Sequence, residues 1–163
     1  MKVVCNSTPL IALSSIGKLH LLHDLFGEIT IPEKVFNEVV IAGSDKYCSQ
    51  DVKAYTWIKV AKTSDNIMKN YLMQTLDEGE AEVIVLADEL KADLVIIDER
   101  LARNYAEKAE MKLIGTLGVI VMSKLKGYVP NARNLIQGML IKGIWFNKAL
   151  VNRILKDISE EPL

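Results

Sequence analysis

The sequence predicts an α/β protein with a mostly parallel central sheet and additional helices after it. Two observations carry this. Short apolar runs, among them Val3-Val4-Cys5 and Leu94-Val95-Ile96-Ile97, alternate with longer amphipathic stretches, as in strands buried on both faces and joined by crossover helices. After Gly127 the strand signals stop and only helical periodicity remains. A chain of 163 residues fits one domain, 1–163, with a core of its own. No internal repeat, low-complexity tract or linker divides it.

Taken in order, residues 3–5 read as a strand, 9–15 and 18–25 as helices, and 28–31 as a second strand. Pro32 stops that strand and suits the first turn of a helix over 32–41, which should bury Val35, Phe36 and Val39. Residues 43–50 read as loop, 51–60 as a short helix ending in a strand, and 65–74 as a helix. The strongest helical pattern covers 78–91, followed by a buried strand over 94–97 with acid on both sides. A helix over 99–109, a strand over 112–114 and a helix over 116–126 complete the alternation. Helices over 131–142 and 148–159, separated by Gly143, form a terminal pair within about 131–159.

Composition narrows the class. Half of the residues are hydrophobic and a quarter are charged, an ordinary globular balance. No apolar run reaches the length of a bilayer span and no signal peptide precedes the first strand, so we expect a cytoplasmic protein with no membrane partner. Cys5 and Cys48 lack the spacing of a zinc site and read as reduced, packed thiols. His20 and His23 are too few for a metal cluster and should flank an apolar helix face. The net charge of −1 hides a division: residues 1–110 carry −6 and residues 111–163 carry +5. This suits acidic groups holding cations beside a basic surface that meets a polyanion, although solvated late helices explain the lysines equally well.

Three carboxylates and an amide carry chemistry. Helical spacing aligns Val83, Ile84, Ala87 and Leu90, and places Glu80 inside that apolar stripe, with Glu82 and Glu89 on the opposite, solvated face. A carboxylate facing the core needs a cation, a base or a proton. The alternative is a first-turn glutamate favoured by the helix dipole, its head reaching water. Asp98 directly follows the strand 94–97, where ligands collect in open α/β sheets, but it is also a preferred N-cap. Asn6, with Ser7 and Thr8, occupies the equivalent place after Val3-Val4-Cys5, and Glu38 flanks the Val35/Phe36/Val39 face. Hard oxygen donors in this number suit Mg²⁺ or Mn²⁺. Phosphate-loop, dinucleotide, zinc-protease and serine-hydrolase motifs are missing.

Four segments then fall into a familiar order: Val3-Val4-Cys5-Asn6-Ser7-Thr8-Pro9-Leu10-Ile11, Ile31-Pro32-Glu33-Lys34-Val35-Phe36-Asn37-Glu38-Val39, Leu76-Asp77-Glu78-Gly79-Glu80-Ala81-Glu82 and Asp98-Glu99-Arg100-Leu101-Ala102-Arg103. Together they resemble the PIN-domain family, and within it the VapC-toxin-like proteins of archaea and bacteria. The resemblance spans nearly the whole chain, Gly115-Thr116-Leu117-Gly118 and the terminal helices included. It implies a three-layer α/β/α fold and a Mg²⁺- or Mn²⁺-dependent ribonuclease whose acids converge at one end of the sheet. Carried over by motif, Asn6, Glu38, Glu80 and Asp98 are the metal positions, and Glu38, Glu80 and Asp98 the catalytic ones. Ser7 or Thr8 is the hydroxyl of the first motif, and Arg100 and Arg103 are placed to contact phosphate, although Arg103 is equally placed to pair with Glu99 or Glu107 on its own helix. Asn6 departs from the family's usual aspartate, keeping an oxygen donor but losing a charge.

The resemblance further implies RNA as substrate and, for a toxin, a small antitoxin protein as partner. We expect RNA to run from the acids onto Lys124, Lys126 and Arg133. The Trp145-Phe146 pair should dock the terminal helices and offer an anchor for a homodimer. Two other readings compete. One is a PIN-like module that binds nucleic acid or a partner without catalysis. The other is a helix-turn-helix in the last two helices, weakened by their apolar docking residues.

Overall fold

The computed structural model describes residues 1–42 and 47–163, and its five strands form one parallel sheet. They are β1 (Val3–Cys5), β2 (Ile29–Pro32), β3 (Ile58–Ala61), β4 (Leu94–Ile96) and β5 (Leu113–Ile114), in the spatial order β3-β2-β1-β4-β5. Ten α-helices are described: α1 (Ser7–Ser15), α2 (Leu21–Phe26), α3 (Glu33–Phe36), α4 (Tyr47–Ala54), α5 (Asn66–Leu72), α6 (Glu78–Leu90), α7 (Arg100–Lys108), α8 (Thr116–Leu125), α9 (Ala132–Ile141) and α10 (Lys148–Asp157). On one side α6 packs with α3, α5 and α7; on the other α1 packs with α4, α8 and α9. This is the expected three-layer α/β/α architecture.

Strand order positions the site. The chain moves outward from β1 to β2 and β3, then returns to the far side of β1 to lay down β4 and β5. The order therefore reverses between β1 and β4, and in open sheets the crevice beyond the carboxyl ends at such a reversal is where ligands bind. Cys5 pairs with Ile96, and the Asn6 N–H extends the ladder to the Ile96 carbonyl at 2.9 Å. Asn6 and the Asp98-Glu99 pair consequently leave the sheet side by side.

The region after β2 departs from the single helix expected over 32–41. Pro32 ends the strand with extended backbone (φ −65°, ψ 157°), and α3 is only four residues long before a π-helical segment, Asn37–Ala42, continues it. The wider turn changes which side chains face inward: Val39 and Val40 are both buried while Phe36 is half-buried. Such segments often mark functional sites because they re-aim a side chain, and this one carries Glu38. Part of the loop expected over 43–50 lies outside the described residues, and its later part belongs to α4.

The stripe assigned to α6 was too narrow. Residues 81–87 are all buried, because α3 and α5 cover the flank that spacing alone assigns to solvent. Glu82, expected on the solvated face, is 7% exposed. It accepts from the Lys34 backbone N–H at 3.1 Å and pairs with Lys69 at 3.2 Å, so the charge is compensated locally. Glu89 is half-buried and accepts hydrogen bonds from the Ser64 and Asp65 backbone N–H groups at the start of α5.

The terminal helices dock through Ile136, Met139, Val151 and Leu155, all buried. The Glu160 carboxylate caps α9, accepting from Ala132 and Arg133 N–H at 2.9 and 2.7 Å, and pairs with Lys124 at 3.4 Å. Arg133 also donates to the Pro162 carbonyl at 3.1 Å. Lys124 and Arg133, expected on an open cationic surface, are thus engaged in holding the end of the chain. Phe146 packs against the core, whereas Trp145 is 80% exposed. Both cysteines are free and buried, and His23 stacks on Trp57. Among the described residues no helix is long and apolar enough to cross a membrane.

Candidate active site

Asn6 is the N-cap of α1, yet its side chain makes no capping bond. Its Nδ2 instead donates to Glu99 Oε2 at 2.9 Å, while Thr8 Oγ1 donates to Glu99 Oε1. Because Glu99 offers only acceptors, the amide must present nitrogen to it, which fixes Oδ1 on the other side. Asn6 is 2% exposed, and among the described residues Oδ1 is the one buried side-chain polar atom without a hydrogen-bond partner. An unmet acceptor at such burial costs about 1–3 kcal/mol unless a donor or cation reaches it.

Asp98 turns the other way. It does not cap its own helix, α7, but accepts from the Thr116 N–H and Oγ1 at 2.8 and 2.6 Å, filling the N-cap role at α8 that Gly115 has no side chain to supply. A Cβ on Gly115 would sit 2.6 Å from Asp98 Oδ1, so glycine is needed there for space. Burial pushes the Asp98 pKa up, Thr116 opposes this through both bonds, and Glu99 adds to the rise while Arg103 offsets it. Arg103 itself donates to the Ile97 carbonyl at 2.9 Å. Arg100 is exposed and free of side-chain partners among the described residues.

Glu80 and Glu38 meet around the start of α6. Glu80 completes a capping box: its N–H donates to Asp77 Oδ1 at 2.8 Å and its Oε2 accepts from the Asp77 N–H at 3.1 Å. The first-turn role is therefore real, and it leaves Oε1 uncommitted. Glu38 hydrogen-bonds the Ser7 side chain and lies against Gly79, where a Cβ would come 2.9 Å from its Oε1. The pKa of Glu38 is raised, first by burial and then by Asp77, against Lys34 and Ser7. Glu80 is raised by burial, held back by the Asp77 N–H, and raised further by Asp77, Glu99 and Glu38.

The expected positions thus form three groups. Ser7, Glu38 and Glu80 gather at the head of α6, Asn6 and Thr8 gather on Glu99, and Asp98 stands with Thr116. Glu99, which raises the pKa of both Glu80 and Asp98, links them. The sequence reading overlooked Glu99, treating it only as a helix neighbour of Arg103. The available signal was the Asp98-Glu99 pair after a buried strand, since consecutive residues of an extended chain face opposite ways. Among the described residues no three His, Cys, Asp or Glu side chains stand close enough to hold a metal ion. The donor chemistry nonetheless fits a hard divalent cation: oxygens only, an unsatisfied Asn6 Oδ1, and carboxyls of Glu38, Glu80 and Asp98 whose pKa is raised first by burial and then by neighbouring acids.

The comparisons agree with this architecture. A PilT N-terminus domain protein from the hyperthermophilic archaeon Sulfolobus solfataricus superposes with a TM-score of 0.56 at 19% identity, covering 76% of this chain and 93% of that one. No curated protein matches the chain. A family model described as DUF3368, PIN domain, matches residues 2–160. With that match across nearly its whole length, and with a sheet reversal bordered by acids, the chain belongs to the PIN-domain family.

Proposed function

We propose that the protein, acting as a single unit over residues 1–163, is a divalent-metal-dependent ribonuclease that hydrolyses RNA phosphodiester bonds. The observation that carries this is the buried, unpartnered Asn6 Oδ1 in a site whose carboxylates Glu38, Glu80 and Glu99 lack paired bases. Asn6, Glu38, Glu80 and Asp98 would hold Mg²⁺ or Mn²⁺, with Glu99 beside them. When bound, the cation supplies Lewis acidity to a phosphoryl oxygen and acidity to a water.

The chain's own groups divide the remaining work. Thr8 and Asn6 fix both Glu99 oxygens, so that carboxylate keeps one orientation. Ser7 does the same for Glu38. Glu80 Oε1, free beside an Oε2 tied to the Asp77 N–H, accepts the proton of the attacking water. Thr116 holds Asp98 at the mouth of α8. Arg103 anchors the end of β4 through Ile97, leaving Arg100 to meet phosphate. No covalent intermediate with a side chain is needed.

The reading extends to the toxin of a toxin–antitoxin pair: expression without a small partner protein arrests growth, and Glu80→Gln relieves the arrest. The deciding variant is Asn6→Asp. It replaces an Nδ2–H donated to Glu99 with a second carboxylate, so metal-free protein should lose stability, while Mn²⁺ restores it, binds more tightly and speeds cleavage of single-stranded RNA. A charge pair about 4 Å apart interacts by roughly 4 kcal/mol at an effective dielectric near 20 before desolvation, ample to see. Glu80→Gln should be inactive in either background. If Asn6→Asp neither tightens Mn²⁺ binding nor cleaves a broad RNA panel, the nuclease reading fails. The second reading, a binding module without catalysis, then takes its place; the hydrogen bond that the Asn6 amide donates to Glu99, which aspartate cannot make without a proton, favours it.

A further inference from the structure

A cleft of about 710 Å³ opens from the Glu99 side of the site toward the end of the chain. Its near end holds Thr8, Glu99 and Arg100; its far wall is apolar, built by Leu117, Ile144, Phe146 and Leu150. Trp145 lines it too and is 80% exposed, among the described residues the most exposed large hydrophobic after Ile67. The segment bearing it is held at both ends. Ile144 N–H donates to the Met139 carbonyl at 3.0 Å, and Asn147 caps α10 by accepting from Leu150 N–H at 3.0 Å. An indole carried on a short connection tethered at both ends offers a flat face whose backbone loses little entropy on binding.

We propose that this cleft is a base-stacking subsite for single-stranded RNA, with Trp145 as the platform and Arg100 on the adjoining phosphate. The inference rests on the ribonuclease reading for the course of the strand. An apolar chamber beside carboxylates and one unpaired guanidinium suits a ligand that alternates flat apolar faces with anions. A nucleotide does so at every step, and only an unpaired base is free to leave its stack and enter. The subsite therefore selects single strands and holds the nucleotide next to the cleaved bond.

The test reads binding in EDTA, where no cleavage occurs, using a fluorescein-labelled oligouridylate octamer followed by anisotropy. The wild-type protein should bind this strand more tightly than a duplex of equal length. Trp145→Ala should weaken binding about tenfold, within the range of one base–aromatic stack, and Trp145→Phe should keep most of the affinity. An octamer with abasic sites should bind the wild-type protein weakly and be indifferent to Trp145→Ala. Arg100→Ala should lower the salt slope by about one, which Trp145→Ala leaves unchanged. Equal affinity of wild-type and Trp145→Ala protein for the octamer would overturn the proposal. So would a Trp145→Ala variant that turns a sedimenting dimer into monomer, or releases a protein partner, with RNA affinity intact. Trp145-dependent binding without cleavage in Mn²⁺ would sink the catalytic reading alone.

Discussion

Helix α6 carries three glutamates in its first five residues, and they end in two different environments. Glu78 and Glu82 face the flank covered by α3 and α5, where Lys69 pairs with both at 3.2 Å and Lys34 adds a contact to Glu78 at 3.4 Å. Glu80 faces the reversal point of the sheet, where its neighbours are Asp77, Glu99 and Glu38. The consequences are opposite. Hydrogen bonding to Lys69 holds the Glu78 carboxyl below its ordinary range, whereas burial and like charge push Glu80 above it. Acids given lysines brace the fold. The acids left without them cluster where the sheet order reverses.

Breaking the braced side should give the largest effect. Lys69→Met leaves Glu82, whose side chain is 9% exposed, without its base, and we expect a loss of about 3 kcal/mol in urea unfolding. A loss below about 1 kcal/mol would mean that the Lys34 N–H alone satisfies Glu82. The double variant Lys69→Met/Glu82→Leu should recover most of that stability, since apolar pairs of similar volume often replace buried ion pairs well.

Titration separates the two flanks more gently. Glu80 has a folded pKa above its ordinary value of 4.5, so folded protein binds more protons there, and its contribution to stability falls as pH rises through that window. Glu78 is lowered, so its contribution is present above the ordinary value and is lost as pH falls through the folded one. Denaturant midpoints between pH 3 and 8 should therefore show Glu80→Gln gaining on wild type as pH rises, and Glu78→Gln losing. Saturating Mn²⁺ should reverse the first trend, because the bound cation favours ionised carboxylates. A parallel course for all three proteins would remove the contrast.

The smallest stability change should accompany a large change in metal binding. Gly79→Ala places a methyl 2.9 Å from Glu38 Oε1, and the flexible carboxylate can swing aside. Alanine also favours a helix over glycine by about 1 kcal/mol, so thermal stability should hold within about 1 kcal/mol of the wild type. Calorimetric titration with Mn²⁺ should nonetheless weaken severalfold. Unchanged Mn²⁺ affinity would remove Glu38 from the site.

Much of this was legible in residue order. The alternation of short apolar runs with amphipathic stretches gave the layers, because buried parallel strands need little else. Residue order alone put Asp98 and Asn6 just beyond the ends of strands and Glu80 in the first turn of a largely buried helix. Glu82 was misread because spacing identifies faces of one helix but not the neighbours covering them. Phe36 and Val40 exchanged burial because a π-helical turn has no strong local signature, arising from how the segment fits over the sheet.

The sequence by itself determined the strands, most of the helices and the family, since each depends on local periodicity, capping chemistry and motif spacing. Only tertiary structure decided what each acid does. Asp98 serves α8 instead of its own helix, Glu99 takes the amide of Asn6, and Glu82 receives Lys69. These pairings join residues 18, 93 and 13 positions apart. The charge state of a carboxylate depends on what stands within a few ångströms, and that is set by strand order and helix packing, not by its neighbours in the chain.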